Sequence, residues 1–464
     1  MGSAATLFFN ANDSEKQTLH RRITPSDEQF EEQQERWNVL ADHLTSDLKE
    51  RSGHSIRTWL QGSYKFGTQI RPVHMGHEFD IDLGIYYQWE GEPEEGTHGP
   101  CTLKSFVQRS LQDYARDNAD SVLEVCPPKT RCCRIRYNNS FHIDVPAYHL
   151  DPDRDARTLA TEERWECSDP KAIYVWFKDQ FDDATRARVR RQIKYLKSWA
   201  ALKFDENGRP SSILLTVLVA DAAKSIGAAG VVADDETLRN ILESLVARLD
   251  GDKHVPNPVC ETENLARLSD TEMNSFIERL KGLLEIANRA VARSTESAAA
   301  DVWQEAFEHL FPMPAVTEVL TEAARYLPVP LTMPEILVTA VSRDNAALGK
   351  YNGMNKIGPI PKNCDVNFEI INGYALPHGA EIFWIVRNEG REAENINDLG
   401  HLAGTGLVAT EHSAYRGTHH MDCVVKVAGQ TVAMRRVPVD ITGKELPRRN
   451  PLQKPAWVRL RGRR

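Results

Sequence analysis

The reading of this chain turns on WLQGSYKFGTQIRPVHMGHEFDIDLGIYYQW, residues 59 to 89. Its second half, FDIDLGIYYQW, has the aromatic and branched residues of a β-strand. Successive side chains of a strand alternate faces, so Asp80 and Asp82 share one face while Phe79, Ile81 and Leu83 take the other. Two carboxylates side by side repel, and at least one resists ionising unless a cation sits between them. Upstream, Gly62 and Ser63 are expected to follow a helix as a tight turn, where a phosphate can come close to backbone N–H groups.

A second strand, FHIDVPAY, carries one inward acid, Asp144, among apolar residues. Three carboxylates converging on one sheet supply the hard oxygen ligands that a pair of Mg²⁺ ions needs, with Mn²⁺ as the substitute, and a nucleoside triphosphate completes the shell. The metal set expected from this pattern is Asp80, Asp82 and Asp144, and the same three are the expected catalytic residues.

Composition sets the frame. A chain of 464 residues has room for two or three domains, and 41% hydrophobic with 27% charged residues is ordinary for a soluble protein. No apolar run is long enough to span a membrane, so no membrane partner is expected. The net charge of -9 argues against a general nucleic-acid coat and leaves room for a small phosphorylated substrate in a local basic pocket. The eight cysteines include no C-x-x-C pair, which predicts a reduced, cytoplasmic chain with neither disulfides nor a zinc site.

Outward from the opening stretch, SDEQFEEQQERWNVLADHLTSDLKER reads as a long amphipathic helix. Ser26 is its N-cap, and Phe30, Trp37, Leu40, Leu44 and Leu48 form its apolar stripe. Residues 121–150 read as two or three strands. From about Asp169 to Tyr326 helical periodicity dominates, and the run Arg190, Arg191 and Lys194 reads as a solvated basic face. YLPVPLTMP is a Pro-rich break, after which short β-like runs follow Asn345, ending in a hairpin around Ala428-Gly429-Gln430. The expected division is an N-terminal helix and α/β core over 1–168, a helical lobe over 169–330, a β-rich domain over 335–442 and a basic tail over 443–464.

GSYKFGTQI, EFDIDLG and FHIDV, in that order, resemble the signature of polymerase-β-like nucleotidyltransferases. More narrowly, they resemble the bacterial cGAS/DncV-like enzymes (CD-NTases) of CBASS antiphage signalling. The resemblance implies an α/β nucleotidyltransferase core with a helical lobe. VRRQIKYLKSWAALKF and RPSSILLTVLV are similar to the family segment in which a lysine before a tryptophan and a serine after a proline hold the donor triphosphate. Lys197 matches that lysine, and Ser212 the serine, with Ser211 fitting nearly as well. Thr216 stands where the family often has Glu. With Gly62 and Ser63, Lys197 and Ser212 make up the implied nucleotide-binding set.

EIFWIVRNEGREA, HLAGTG and TEHSAYRGTHHMDCVVKV resemble the β-rich C-terminal sensor domain (AGS-C-like) fused to such synthetases. The matching residues are Trp384, Asn388, Gly390, Glu392, Glu411, Tyr415, Gly417 and His419. Trp384, Tyr415 and Arg416 are read either as a surface that stacks on bases or as part of a small sandwich core. The implied function is synthesis of a cyclic di- or trinucleotide second messenger from ATP or other NTPs, with release of pyrophosphate. The implied partners are a downstream effector that reads the product and an activating ligand at the C-terminal domain. Linear oligonucleotide synthesis and a catalytically silent sensing module are the alternatives.

Overall fold

The computed structural model describes residues 2–12, 17–74, 76–138, 141–230, 232–314, 318–320, 332–344 and 350–442. The basic tail and residues 326–331 of the Pro-rich break lie outside them. The chain divides into two compact units, Met1–Pro312 and Met313–Arg464.

The first unit begins with two short helices, α1 (Ala5–Phe8) and α2 (Leu19–Ile23), and then the long α3 (Asp27–Ser52). Ser26 caps α3 as expected. Its hydroxyl accepts from the Gln29 N–H while the Gln29 side chain returns to the Ser26 N–H. Leu40, Leu44 and Leu48 are fully buried. Phe30 departs from the stripe: it is 44% exposed and stacks on Tyr64 at 4.9 Å.

Eight strands form one sheet. They are β1 (Ser55–Gln61), β2 (Phe79–Gln88), β3 (Val122–Val125), β4 (Cys133–Tyr137), β5 (Phe141–Val145), β6 (Ala147–Asp151), β7 (Ala156–Ala160) and β8 (Trp165–Cys167). Residues 121–150 thus hold four strands, where the sequence pattern gave two or three, and β7 and β8 extend the sheet further. β5 and β6 run along β2 in parallel with the same offset, interrupted at Pro146, while β1 pairs antiparallel with β2. Proline has no N–H to donate, which is why one run of sequence becomes two strands. The odd-numbered face of β2 packs on α3 and on α5 (Pro100–Asp117), placing Ile81, Leu83 and Ile85 in a core with Leu44, Leu103 and Val107.

Gly62 and Ser63 follow the strand β1, not a helix, and open the short α4 (Gly62–Phe66). The remaining elements of this unit are mostly helical: α6 (Pro170–Asp179), α7 (Asp183–Lys203), α8 (Ser212–Gly230), α9 (Asp234–Gly251), the short strands β9 (Pro256–Asn257) and β10 (Cys260–Asn264), α10 (Asp270–Val291) and α11 (Glu296–Phe307). The basic run on α7 is not a solvated face. Arg191 pairs with Asp234 at 2.6 Å, and Lys194 is buried with its Nζ donating to the Thr24 hydroxyl. Cys167 on β8 and Cys260 on β10 are joined as a disulfide, which corrects the expectation of a fully reduced chain. Their separation of 93 residues hides the pairing from any local motif.

The second unit contains β11 (Glu318–Leu320), β12 (Ile336–Ser342), β13 (Lys350–Met354), β14 (Ile357–Pro361), β15 (Cys364–Ile370), β16 (Glu381–Arg387), α12 (Arg391–Asn395), β17 (Leu402–Thr405), β18 (Val408–His412), β19 (Gly417–Val427) and β20 (Gln430–Thr442). β12 starts before Asn345, earlier than the sequence texture indicates. The sheets β11-β20-β19-β16-β17, with β14 on β20, and β13-β12-β15-β18 share one core that includes Val338 and Phe368 from one and Trp384 and Val425 from the other. Ala428 and Gly429 make the two-residue turn of the hairpin, both with positive φ. Trp384 is fully buried and donates its indole N–H to the Gly406 carbonyl, so it serves the sandwich core and offers no face to a base. Tyr415 is likewise tied down, donating its hydroxyl to Asp398 at 2.6 Å.

Candidate active site

The even-numbered face of β2 carries the acids. Burial alternates along the strand as expected, with Phe79, Ile81 and Leu83 buried and Asp80 and Asp82 more open. The parallel pairing with β5 sets Asp82 opposite Asp144 and Asp80 opposite His142. Gln61, the last residue of β1, lies opposite Asp82 from the other side. Three neighbouring strands therefore converge on Asp82.

Gly62 has φ +61, and a β-carbon there would lie 1.8 Å from the Asp82 Oδ2. The glycine is required twice over, for its backbone conformation and for the space its missing side chain leaves. That space is taken by a carboxylate of the protein, not held open for phosphate alone.

Charges around the acids differ from residue to residue. Burial pushes the Asp82 carboxyl well above the usual range, and the like charges of Asp80 and Asp144 push it further, against the pull of Lys197 and Arg134. For Asp80, desolvation also works against ionisation, but the His142 hydrogen bond and the charges of Arg134 and Lys129 outweigh it, and its carboxyl falls below the usual range. His142 stands between two carboxylates, with Nε2 2.9 Å from Asp80 Oδ1 and Nδ1 3.0 Å from Glu78 Oε2. Glu78 is held in turn by Arg136, whose Nε donates to it at 2.9 Å. Asp144 accepts both arms of the Arg134 guanidinium, Nη2 at 2.8 Å, and has Lys129 Nζ at 3.7 Å.

Single ligand atoms of Asp80, His142 and Asp144 lie within 4.8 Å of one another. Two carboxylates and an imidazole suit a divalent cation, and the raised Asp82 beside them marks a place where positive charge is deficient. Asp82 is not within that cluster, whereas His142, which the sequence reading passed over, is. The signal was present in FHIDV, where alternation puts His142 on the same face as Asp144, just as it pairs Asp80 with Asp82.

Beside the acids is a cavity of about 210 Å³. Ser63, Gln69, Asp80, Lys197, Arg209 and Ser212 contribute to its wall; Gly62, Asp82 and Asp144 do not. Lys197 comes from α7 and is buried, with its Nζ donating to the Thr68 carbonyl and hydroxyl, both at 3.2 Å. Burial brings its pKa down to about 7, and Asp80 and Asp82 limit the fall. Of the two serines, Ser212 lines the cavity, while Ser211 accepts from the Leu214 N–H at 3.3 Å and caps α8. Thr216 closes its hydroxyl onto the Ser212 carbonyl at 2.8 Å.

Residues 56–148 match the family model "Cyclic GMP-AMP synthase DncV-like, nucleotidyltransferase domain". The chain carries a DncV-like nucleotidyltransferase domain. Residues 314–442 match the "Adenylyl/Guanylyl and SMODS C-terminal sensor domain", so this nucleotidyltransferase is fused to a sensor domain. A protein named cyclic GMP-AMP synthase from Escherichia albertii is 26% identical over 451 residues, covering 96% of this chain and 98% of that one. A c-di-GMP synthase from Roseivirga ehrenbergii is 26% identical over 261 residues, covering 50% of this chain and 65% of its own. Among solved structures, Vibrio cholerae DncV bound to the linear intermediate pppA(3′,5′)pG superposes with a TM-score of 0.57 at 20% identity, over 67% of this chain and 96% of that chain. The chain has the polymerase-β-like nucleotidyltransferase fold, with helices beside the eight-stranded sheet. No helix of the described residues is long and apolar enough to cross a membrane.

Proposed function

We propose that this nucleotidyltransferase joins two NTPs into a cyclic dinucleotide, releasing one pyrophosphate in each of two transfers. The observation that carries this reading is the set of acids on β2 and β5, with Asp82 opposite Asp144 in the parallel register and Asp80 on the wall of the cavity that Lys197 enters. The near-full-length similarity to a protein named for cyclic GMP-AMP synthesis supports it.

Asp80 and Asp144 would hold divalent metal, Mg²⁺ in the cell, with Asp82 beside them, and His142, 2.9 Å from Asp80 on the neighbouring strand, would orient that carboxylate. The metal supplies charge neutralisation and a lowered pKa for the attacking hydroxyl. Ser63 and Ser212 donate hydroxyl hydrogen bonds to the donor triphosphate, and the Lys197 ammonium neutralises part of its charge. A triphosphate beside Lys197 favours the charged amine and so reverses the effect of burial. Asp144 orients the attacking hydroxyl and draws its proton. The substrates are ATP and other NTPs. The product acts on a downstream effector in bacterial antiphage defence within the cytoplasm, and a ligand at the sensor domain sets the activity.

The test is incubation with all four NTPs and Mg²⁺, phosphatase treatment, and mass spectrometry of what survives. A phosphatase-resistant species of cyclic mass, absent in Asp80→Asn and Asp82→Asn, is the expected result, and its mass names the bases. Only phosphatase-labile oligomers would overturn the cyclisation and leave the transfer chemistry.

A further inference from the structure

The cavity wall holds a cation to which no role has yet been given. Arg209 lines it together with Ser63, Lys197 and Ser212. Its Nε is buried without an acceptor, and its Nη2 reaches only the Phe204 carbonyl at 3.5 Å. Among the described residues, no carboxylate lies within ion-pair distance of it. Three other arginines in this unit are placed differently. Arg134 grips Asp144 with two nitrogens, Arg136 grips Glu78, and Arg191 grips Asp234. A partly buried guanidinium without a counter-ion is costly, and the cost is recovered when an anion arrives.

The backbone at this point is well defined. Pro210 follows and holds Arg209 in extended conformation, φ -78 and ψ 130. Ser211 then caps α8, so a rigid junction presents the side chain to the cavity. The planar fork of a guanidinium matches two phosphate oxygens, which a lysine's point charge does not. Of the other cations on this wall, Arg71 gives its Nε and Nη2 to the Thr24 carbonyl, and Lys197 supplies one charge against a triphosphate that carries several.

We propose that Arg209 binds the β- and γ-phosphates of the donor NTP. This rests on the reading of the cavity as the donor site. The α-phosphate belongs beside the carboxylates, where Arg134, Lys129 and Lys197 are the cations that act on Asp80 and Asp82. Arg209 therefore meets the part of the donor that leaves. As the attacking oxygen bonds to the α-phosphorus, the bond from that phosphorus to the bridging oxygen breaks. Pyrophosphate carries away the electron pair, and Arg209 neutralises the charge that gathers on it.

The probe is inorganic tripolyphosphate, titrated calorimetrically into the full chain in Mg²⁺, with melting temperature as the check on folding. Arg209→Met should weaken binding by about tenfold or more at an unchanged melting temperature. Arg209→Lys, which keeps the charge and loses the fork, should fall between it and the parent. Binding equal to the parent in both variants would overturn the role of Arg209, as would a loss of affinity matched by a loss of melting temperature in both. Lys197→Met separates the two readings. If it weakens tripolyphosphate binding and the Arg209 variants do not, only the role of Arg209 falls. If the parent and Lys197→Met bind alike, or neither binds, the donor-site reading falls and this proposal with it.

Discussion

A β-carbon on Gly62 would sit 1.8 Å from the Asp82 carboxylate, so the turn after β1 and the acid on β2 occupy each other's space. Gly62→Ala must move one of them, and its φ of +61 adds backbone strain. The variant should lose about 1–3 kcal/mol of stability and most of its turnover. Chemical unfolding and the phosphatase-resistant product assay measure the two losses.

Asp82 should behave as an acid that the fold tolerates for chemistry. Its folded pKa lies above the unfolded one, so the folded state holds the proton more tightly and metal-free stability falls as pH rises from about 3.8 through the raised value. Asp82→Asn should flatten that fall, melt no lower than the parent in EDTA at neutral pH, and abolish turnover. Mg²⁺ should raise the melting temperature of the parent and do less for the variant.

Lys197 titrates near neutrality, with a pKa of about 7 against an ordinary 10.5. Over that window the unfolded chain binds more protons, so stability should rise with pH, and Lys197→Met should remove that slope. At pH 8 the free amine is mostly neutral, and a triphosphate makes the ammonium the favoured form. ATP binding at pH 8 should take up about one proton in the parent and none through this group in Lys197→Met. Calorimetry in buffers of different ionisation enthalpy reads the difference.

Cys167–Cys260 leaves Cys101, Cys126, Cys132, Cys133, Cys364 and Cys423 as free thiols. Denaturation without reductant followed by alkylation should label these six and spare the pair. Cys260→Ser should cost about 2–4 kcal/mol under oxidising conditions and match the parent under reduction.

In the second unit, Asp422 is fully buried between Arg387 and Arg436, which together hold its carboxyl far below the usual range. The stability this gives is present above about pH 4 and is lost as pH falls towards the depressed value. Asp422→Asn removes the buried charge that both guanidinium groups share and should cost about 3–5 kcal/mol. Melting of the full chain followed by proteolysis should locate that loss after residue 312.

Local physics made part of this protein legible. Alternation in FDIDLG put Asp80 and Asp82 on one face, Ser26 and Gln29 spelled a capping box, and Ala428-Gly429 fitted the turn of its hairpin, because each depends on residues a few positions apart. Lys197 and Ser212 line one cavity with Ser63 and Asp80, although no spacing rule could show that residues of α7 and α8 would meet one from β2 there.

The rest was decided by neighbours distant in sequence. His142 became part of the acid cluster through the parallel register of β2 and β5, and Arg134 met Asp144 across the β4–β5 ladder. Burial chose the sandwich core for Trp384, and packing against α2 took Lys194 out of solvent. The sequence by itself determined which acids share a face and where α3 is capped, because those follow from residues a few positions apart. Only the tertiary structure decided which partners neutralise those acids, and that Arg209 has no carboxylate beside it among the described residues, because charge pairing is set by distances in space.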